Sequence, residues 1–186
     1  MKKVLYTLGL LGGTIMAAQA QTSAIKLNVT SIAVATANVS FESKIGEKSS
    51  FQIGAFYTGF SINDTKFRGF GITPELRFYP GGDALHGFFV GPYLRYQNFN
   101  LSSPSYTYNS NGSTTATTDE AKLNTFGGGV NLGYQWVFGE HFVLEPFLRL
   151  GYSGGSVKVN SGSDTFNTGS FTGGSVLPGI NLGYAF

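Results

Sequence analysis

The sequence predicts an all-β fold, an eight-stranded antiparallel up-and-down transmembrane β-barrel, and three observations carry that prediction. Apolar and polar residues alternate with period two from about residue 24 to the last residue, broken by clusters of Gly, Asn, Ser and Pro and without a helical period. Only 12% of the residues are charged, about half the usual share of a soluble domain, while aromatics make up 15% and there are 27 glycines. The connections alternate between short and long, as in barrels that turn tightly on one side of a membrane and loop out on the other.

Taken in order, residues 1–20 read as a cleaved export signal. Lys2 and Lys3 form a charged start, residues 4–16 an apolar run, and Ala18-Gln19-Ala20 a small-x-small cleavage site. A membrane anchor is the alternative, but the run is short for a spanning helix and contains a Gly-Gly pair. The mature barrel domain is then residues 21–186. The full chain has 12 Lys and Arg against 10 Asp and Glu, so without Lys2 and Lys3 it is formally neutral. That leaves no basic footprint for nucleic acid. With no cysteine there is no disulfide, no thiolate metal site and no lipidated N-terminal cysteine.

Eight strands follow, at 24–33, 37–45, 51–60, 67–79, 87–100, 121–138, 141–157 and 171–186. "VATANVS" separates the first two as a tight connection or a bend in one long strand. "IGEKSS", "PGGDALH" and "GEH" are the short connections; "SPSYTYNSNGSTTATTDE" and "VNSGSDTFNTG" are the long ones, rich in Ser, Thr, Asn and Gly.

Each strand has one apolar face. From residue 141 the even positions are Phe142, Leu144, Pro146, Leu148, Leu150 and Tyr152; the odd ones are Val143, Glu145, Phe147, Arg149 and Gly151. The same frame appears in "TPELRFYPG" and "GPYLRYQNF", so a Pro-x-Leu-Arg unit occurs three times and holds Arg77, Arg95 and Arg149. Each proline removes a ladder donor, which suggests local bends or bulges. In a soluble barrel the apolar face would be the core. Here the opposite face is poor in lysine and crowded with Gly, Tyr and Phe, unlike a soluble surface. The apolar faces end near the short turns in Phe78, Phe88, Tyr134, Trp136, Phe138, Phe142, Tyr184 and Phe186, the pattern of an interfacial girdle. The apolar face is therefore assigned to lipid.

The last strand, "VLPGINLGYAF", alternates through Ile180, Leu182, Tyr184 and Phe186 and looks like the C-terminal signal read by outer-membrane assembly machinery. Nearly the whole mature chain resembles the small eight-stranded outer-membrane barrels of the OmpA, OmpX and OmpW type. More narrowly, "AIKLNVTSIAVATANVSFESKIGEKSSFQIGAFY" followed by "GITPELRFYP" is similar to uncharacterised outer-membrane barrel proteins common in Bacteroidota. The resemblance implies a bacterial outer-membrane location, with lipid and the assembly machinery as partners. It supplies no activity and no catalytic residues.

The charges inside the strands are Lys26, Glu42, Lys44, Glu75, Arg77, Arg95, Glu145 and Arg149, and by parity all face the lumen. An eight-stranded barrel is just wide enough to be filled by side chains. Charges buried there need partners, so these eight are expected to form a salt-bridge plug. A narrow ion conduit, with its excess of base hinting at anions, is the alternative. His86 and His141 fall in short turns, away from Asp64, Asp119, Glu120 and Asp164 on the long-loop side, which argues against a Ser-His-Asp site. Adjacent Asp119 and Glu120 read as a solvated loop end with at most weak calcium binding. Gly127-Gly128-Gly129 lies in a strand, so it is not a phosphate loop and instead makes room for bulky lumen neighbours. "NGS" at Asn111 matches a glycosylation pattern by spelling alone. The loop from Ser102 to Glu120, with Tyr106 and Tyr108, is the best candidate surface for an unknown extracellular ligand. The expectation is a monomeric structural or surface-interaction protein: no enzyme, cofactor, metal or nucleic-acid partner. A pore and a soluble exported lipid binder are the rivals.

Overall fold

The computed structural model describes residues 21–62, 65–108, 113–161 and 172–186. The expected leader, Asp64, Asn111 and Asp164 lie outside these. The strands are β1 (Ser23–Asn28), β2 (Thr36–Gly46), β3 (Ser49–Ile62), β4 (Thr65–Phe78), β5 (Gly87–Tyr108), β6 (Thr114–Phe138), β7 (Phe142–Ser161) and β8 (Gly173–Ala185), with one helical turn, α1 (Val29–Ile32), after β1. Every neighbour pair is antiparallel, and β1 pairs with β8 from Ala24↔Ala185 to Asn28↔Asn181, closing the barrel in sequence order. The predicted fold class is the observed one.

The two faces separate as the alternation requires. Ile25, Phe41, Ile53, Ile72, Leu76, Phe78, Leu94, Val130 and Ile180 stand exposed on the outside, while Lys26, Glu42, Gln52, Glu75, Arg77, Asn131, Gln135 and Glu145 are buried inside. A water-soluble chain would reverse this assignment. Aromatics ring the short-turn end: Tyr134 packs on Trp136 at 4.5 Å, Phe138 on Phe142 at 6.3 Å, and His141 stacks on Tyr184 at 4.7 Å. The backbone N–H of Phe186 donates to Ser23 O at 2.8 Å, pinning the last residue to β1.

Turn chemistry sets the short-turn end. Gly139 (φ +55°) and Glu140 (φ +72°) form a two-residue turn closed by His141 N–H on Phe138 O, a left-handed pair that glycine relieves and whose twist suits a hairpin. The segment after β4 folds back under the barrel: Tyr79, Ala84 and Leu85 are buried, and Tyr79 and Ala84 donate backbone N–H groups to Lys48 and Glu47.

Three expectations need correction. The first strand does not run to 33: β1 stops at Asn28 and the chain coils. The Asn28 side-chain oxygen accepts from Ser31 N–H (2.9 Å) and from the Thr30 hydroxyl (2.7 Å), and this capping outweighs the strand preference of Val29, Thr30 and Ile32. The expected loop from Ser102 to Glu120 is mostly sheet: β5 and β6 stay in register to Tyr108↔Thr114, so Tyr106 and Tyr108 lie on a strand. Strands of 22 and 25 residues far exceed the roughly 9–11 that cross a bilayer. Ser, Thr and Tyr dominate this stretch, so the apolar alternation fades although threonine still favours strand. Finally, the prolines make no bulges. At Pro74 and Pro92 the β4–β5 register is unbroken (Ile72↔Tyr96, Glu75↔Tyr93, Phe78↔Val90) and merely loses intervening bonds, while the irregularities lie at Lys44/Gly46 and Glu120/Ala121.

Candidate functional site: the barrel lumen

Parity and strand register together place the interior groups. Glu42 (β2), Gln52 (β3) and Glu75 (β4) are cross-strand neighbours, and Glu145 (β7) lies opposite Asn181 (β8). Lys26 bonds both Glu42 and Glu145. Arg77 reaches three carboxylates: Nε donates to Glu75 at 2.6 Å, Nη1 to Glu42 at 3.0 Å and to Glu145 at 2.7 Å, with Nη2 on the other Glu145 oxygen at 3.1 Å. Arg149 Nη2 donates to Glu75 at 3.1 Å. Six of the eight expected charges thus form one connected cluster, and every carboxylate in it contacts at least one cation. Fully buried ions persist only with this density of pairing.

Neutral groups complete the cluster. The Tyr79 hydroxyl donates to Glu42 at 2.6 Å, Asn131 to Glu75 at 2.8 Å and Asn181 to Glu145 at 2.7 Å; Ser50 also bonds Glu42. Gln135 accepts from Lys26 and donates to Leu85 O, tying the cluster to the folded-under turn. Sequence reading passes over these groups. Their signal is an inward position beside a charge, which becomes visible only once register is known. The Arg77 guanidinium also lies 4.1 Å from the centre of the Phe89 ring, a cation–π contact sealing the same layer.

The remaining two charges sit apart. Lys44 is half-buried beside the β2 irregularity at the short-turn rim and has no ion-pair partner among the described residues. Arg95 donates Nε to the Thr73 hydroxyl at 3.2 Å and lies 5.5 Å from the Tyr93 ring, and no carboxylate among the described residues pairs with it.

Glycine makes room for the interior rings. A Cβ on Gly151 would come within 2.1 Å of the Tyr93 hydroxyl, and one on Gly179 within 2.3 Å of Phe147 Cζ. In the glycine triplet, a Cβ on Gly129 would run into Leu150 O at 2.0 Å, so here the backbones themselves crowd.

On the long-loop side of the cluster lies a cavity of about 470 Å³. Arg95 and Arg149 line it together with Phe56, Phe99, Phe147 and Leu177, and Asn28, Thr36 and Thr58 add polar groups. Among the described residues no group of His, Cys, Asp and Glu is arranged to hold a metal ion. His141 Nδ1 is 2.9 Å from Ala185 O, and the backbone N–H of His86 donates to Asp83 O, so both histidines are engaged in or beside turns. Glu120 is exposed on β6, and Asp119 is the residue before it in the same strand.

Residues 5–165 match the family described as "Protein of unknown function (DUF3575)". No curated protein matches the chain. Among solved structures it is similar to the N-terminal β-barrel domain of Pseudomonas aeruginosa OprF (15% identity, TM-score 0.39, covering 90% of this chain and 100% of that one). It is also similar to Acinetobacter baumannii CarO2 (15%, 0.43, 89% and 97%) and to a major outer membrane protein from Thermus thermophilus (12%, 0.44, 90% and 100%).

Proposed function

The chain belongs to the DUF3575 family, and we propose that it is a bacterial outer-membrane β-barrel with a structural or surface-interaction role, its lumen plugged by charged and aromatic side chains. One observation carries the reading. The outside of the closed barrel is apolar, while the inside holds a buried cluster whose carboxylates are all matched by Lys26, Arg77 and Arg149. Lipid is the solvent such an exterior requires. Paired charges packed with Phe89 and Tyr79 support a closed lumen. The long β5–β6 ribbon, carrying Tyr106 and Tyr108, projects past the rim and presents the surface for an extracellular partner. Ile180, Leu182, Tyr184 and Phe186 are its signal to the assembly machinery, and membership among barrels of the OmpA, OmpX and OmpW type, with the Bacteroidota relatives, is part of the same proposal. Residues 1–20 are its export signal, and it works as a monomer without catalysis.

Conductance tests the plug. In planar bilayers the refolded protein is expected to show no steady channel. A steady conductance that changes on Arg149→Ala would replace this reading with the narrow-pore alternative.

A further inference from the structure

We propose that the cavity on the long-loop side of the plug is a binding site for a small amphiphile with one anionic head, a medium-chain alkyl carboxylate, held by Arg95 and Arg149 with its chain running along the apolar wall toward a gap beside β8.

The head site is built from unspent donors. Arg95 uses only Nε on a neutral hydroxyl, which leaves both terminal nitrogens without a partner among the described residues. Arg149 is only 6% exposed, yet its Nε is buried and makes no hydrogen bond, while its Nη2 is held by Glu75. Both flank the Tyr93 ring, at 5.5 and 5.6 Å from its centre. Of the buried cations, Lys26 and Arg77 are consumed by carboxylates. Arg95 lines the cavity with its terminal nitrogens unpaired among the described residues, and Arg149, whose partner Glu75 is shared with Arg77, adds to the positive charge there; planar guanidinium groups suit a carboxylate.

The rest of the cavity is apolar. Phe56, Phe99, Phe147 and Leu177 line it. Leu177 lies opposite Arg149 across β7–β8 and has lumen parity, yet it is 40% exposed because it faces this open space. Pro178, next in β8, has the outward parity and also lines the cavity, so the cavity reaches through the wall there. The reason is the early end of β1. The β1–β8 ladder stops at Asn28↔Asn181, and above it the bridge among the described residues is Ile180 N–H on the Thr30 hydroxyl of α1 at 3.3 Å. Residues Gly173–Gly179 of β8 pair with β7 alone, and Thr30, Ser31 and Val34 form the far lip of the gap. Below, the ionic cluster closes the floor. A cavity with a cationic base, aromatic sides and an opening beside outward-facing Pro178 fits an amphiphile better than a free inorganic ion, and its volume lies within the roughly 300–1,000 Å³ of small-molecule sites.

The inference uses the membrane setting proposed above but is read by binding rather than conductance, so a conducting barrel that still binds through Arg95 overturns only the plug. The test is calorimetric titration of the folded protein in non-ionic detergent near neutral pH with decanoate, decanol, decyltrimethylammonium and acetate. Wild type and Arg95→Gln are compared, so that micelle partitioning cancels. Decanoate is expected to bind wild type with affinity about tenfold or more above Arg95→Gln, as for loss of a charge-assisted contact, and well above the other three probes. Leu177→Trp, which fills the apolar wall, is expected to abolish the preference for decanoate over acetate. Heat-modifiable gel migration verifies that both variants are folded. Equal binding of decanoate and decanol, or unchanged decanoate affinity in folded Arg95→Gln, overturns the head site. An unchanged chain-length preference in folded Leu177→Trp overturns the route along β8.

Discussion

The two halves of the lumen use the same residue types to opposite ends. Toward the short turns, Arg77 is enclosed by Glu42, Glu75 and Glu145 and lies against Phe89. Toward the long loops, Arg95 has one neutral hydrogen bond and an open cavity before it. Both arginines come from the same Pro-x-Leu-Arg unit, in neighbouring strands. The difference lies in what the register places opposite each one: β3 sets Gln52 between Glu42 and Glu75 in the lower layer, whereas Thr73 and Gly127 neighbour the Arg95 layer. An arginine within a carboxylate layer becomes structure, and one raised above that layer becomes available to something else.

Breaking the lower half is expected to have the largest effect. Arg77→Met leaves three buried carboxylates with only Lys26 and Arg149, and removing one partner of a buried ion pair costs about 3–5 kcal/mol. Urea unfolding in lipid vesicles should show that loss; a change no larger than that of Arg95→Gln would erase the contrast. Next is Gly179→Val, which pushes a side chain into Phe147 and should cost about 1–3 kcal/mol by overpacking. The same unfolding measurement checks it, and an unchanged midpoint would show that the ring moves freely. Asn28→Ala removes the acceptor that ends β1 and should cost about 1 kcal/mol, read as a lowered midpoint and faster amide exchange at Ser31. If exchange is unaltered, the cap does not hold the gap's upper lip. The smallest effect belongs to Gln52→Met. Both amide atoms of Gln52 are buried without a hydrogen-bond partner, so an apolar replacement should be neutral or slightly stabilising. A loss comparable to Arg77→Met would mean that Gln52 bonds within the cluster.

Much of this is legible in the sequence because a barrel strand writes its two environments into alternate positions. Glu75 and Arg77, or Glu145 and Arg149, share parity against apolar neighbours, and once the apolar face is assigned to lipid that parity places them inside. Which of them meet is not legible. Lys26 bonds a glutamate 119 residues away, and such a pairing depends on closure and register that no local pattern encodes. The polar ribbon reads as a loop for a related reason: Ser102–Tyr108 is built from Ser, Thr, Tyr and Pro and has none of the aliphatic residues that mark the other strands. The end of β1 turns on one side-chain oxygen, that of Asn28, acting against four residues of mostly strand-favouring composition.

A lumen sealed below and open above exposes its two halves unequally to thiol reagents. The chain has no cysteine, so each introduced one is unique. In the folded protein, Leu177→Cys should react rapidly with a charged, membrane-impermeant thiol reagent. Gln52→Cys, in the carboxylate layer, should react only after unfolding. Similar rates at the two positions in the folded barrel would mean that the lumen is not divided in this way.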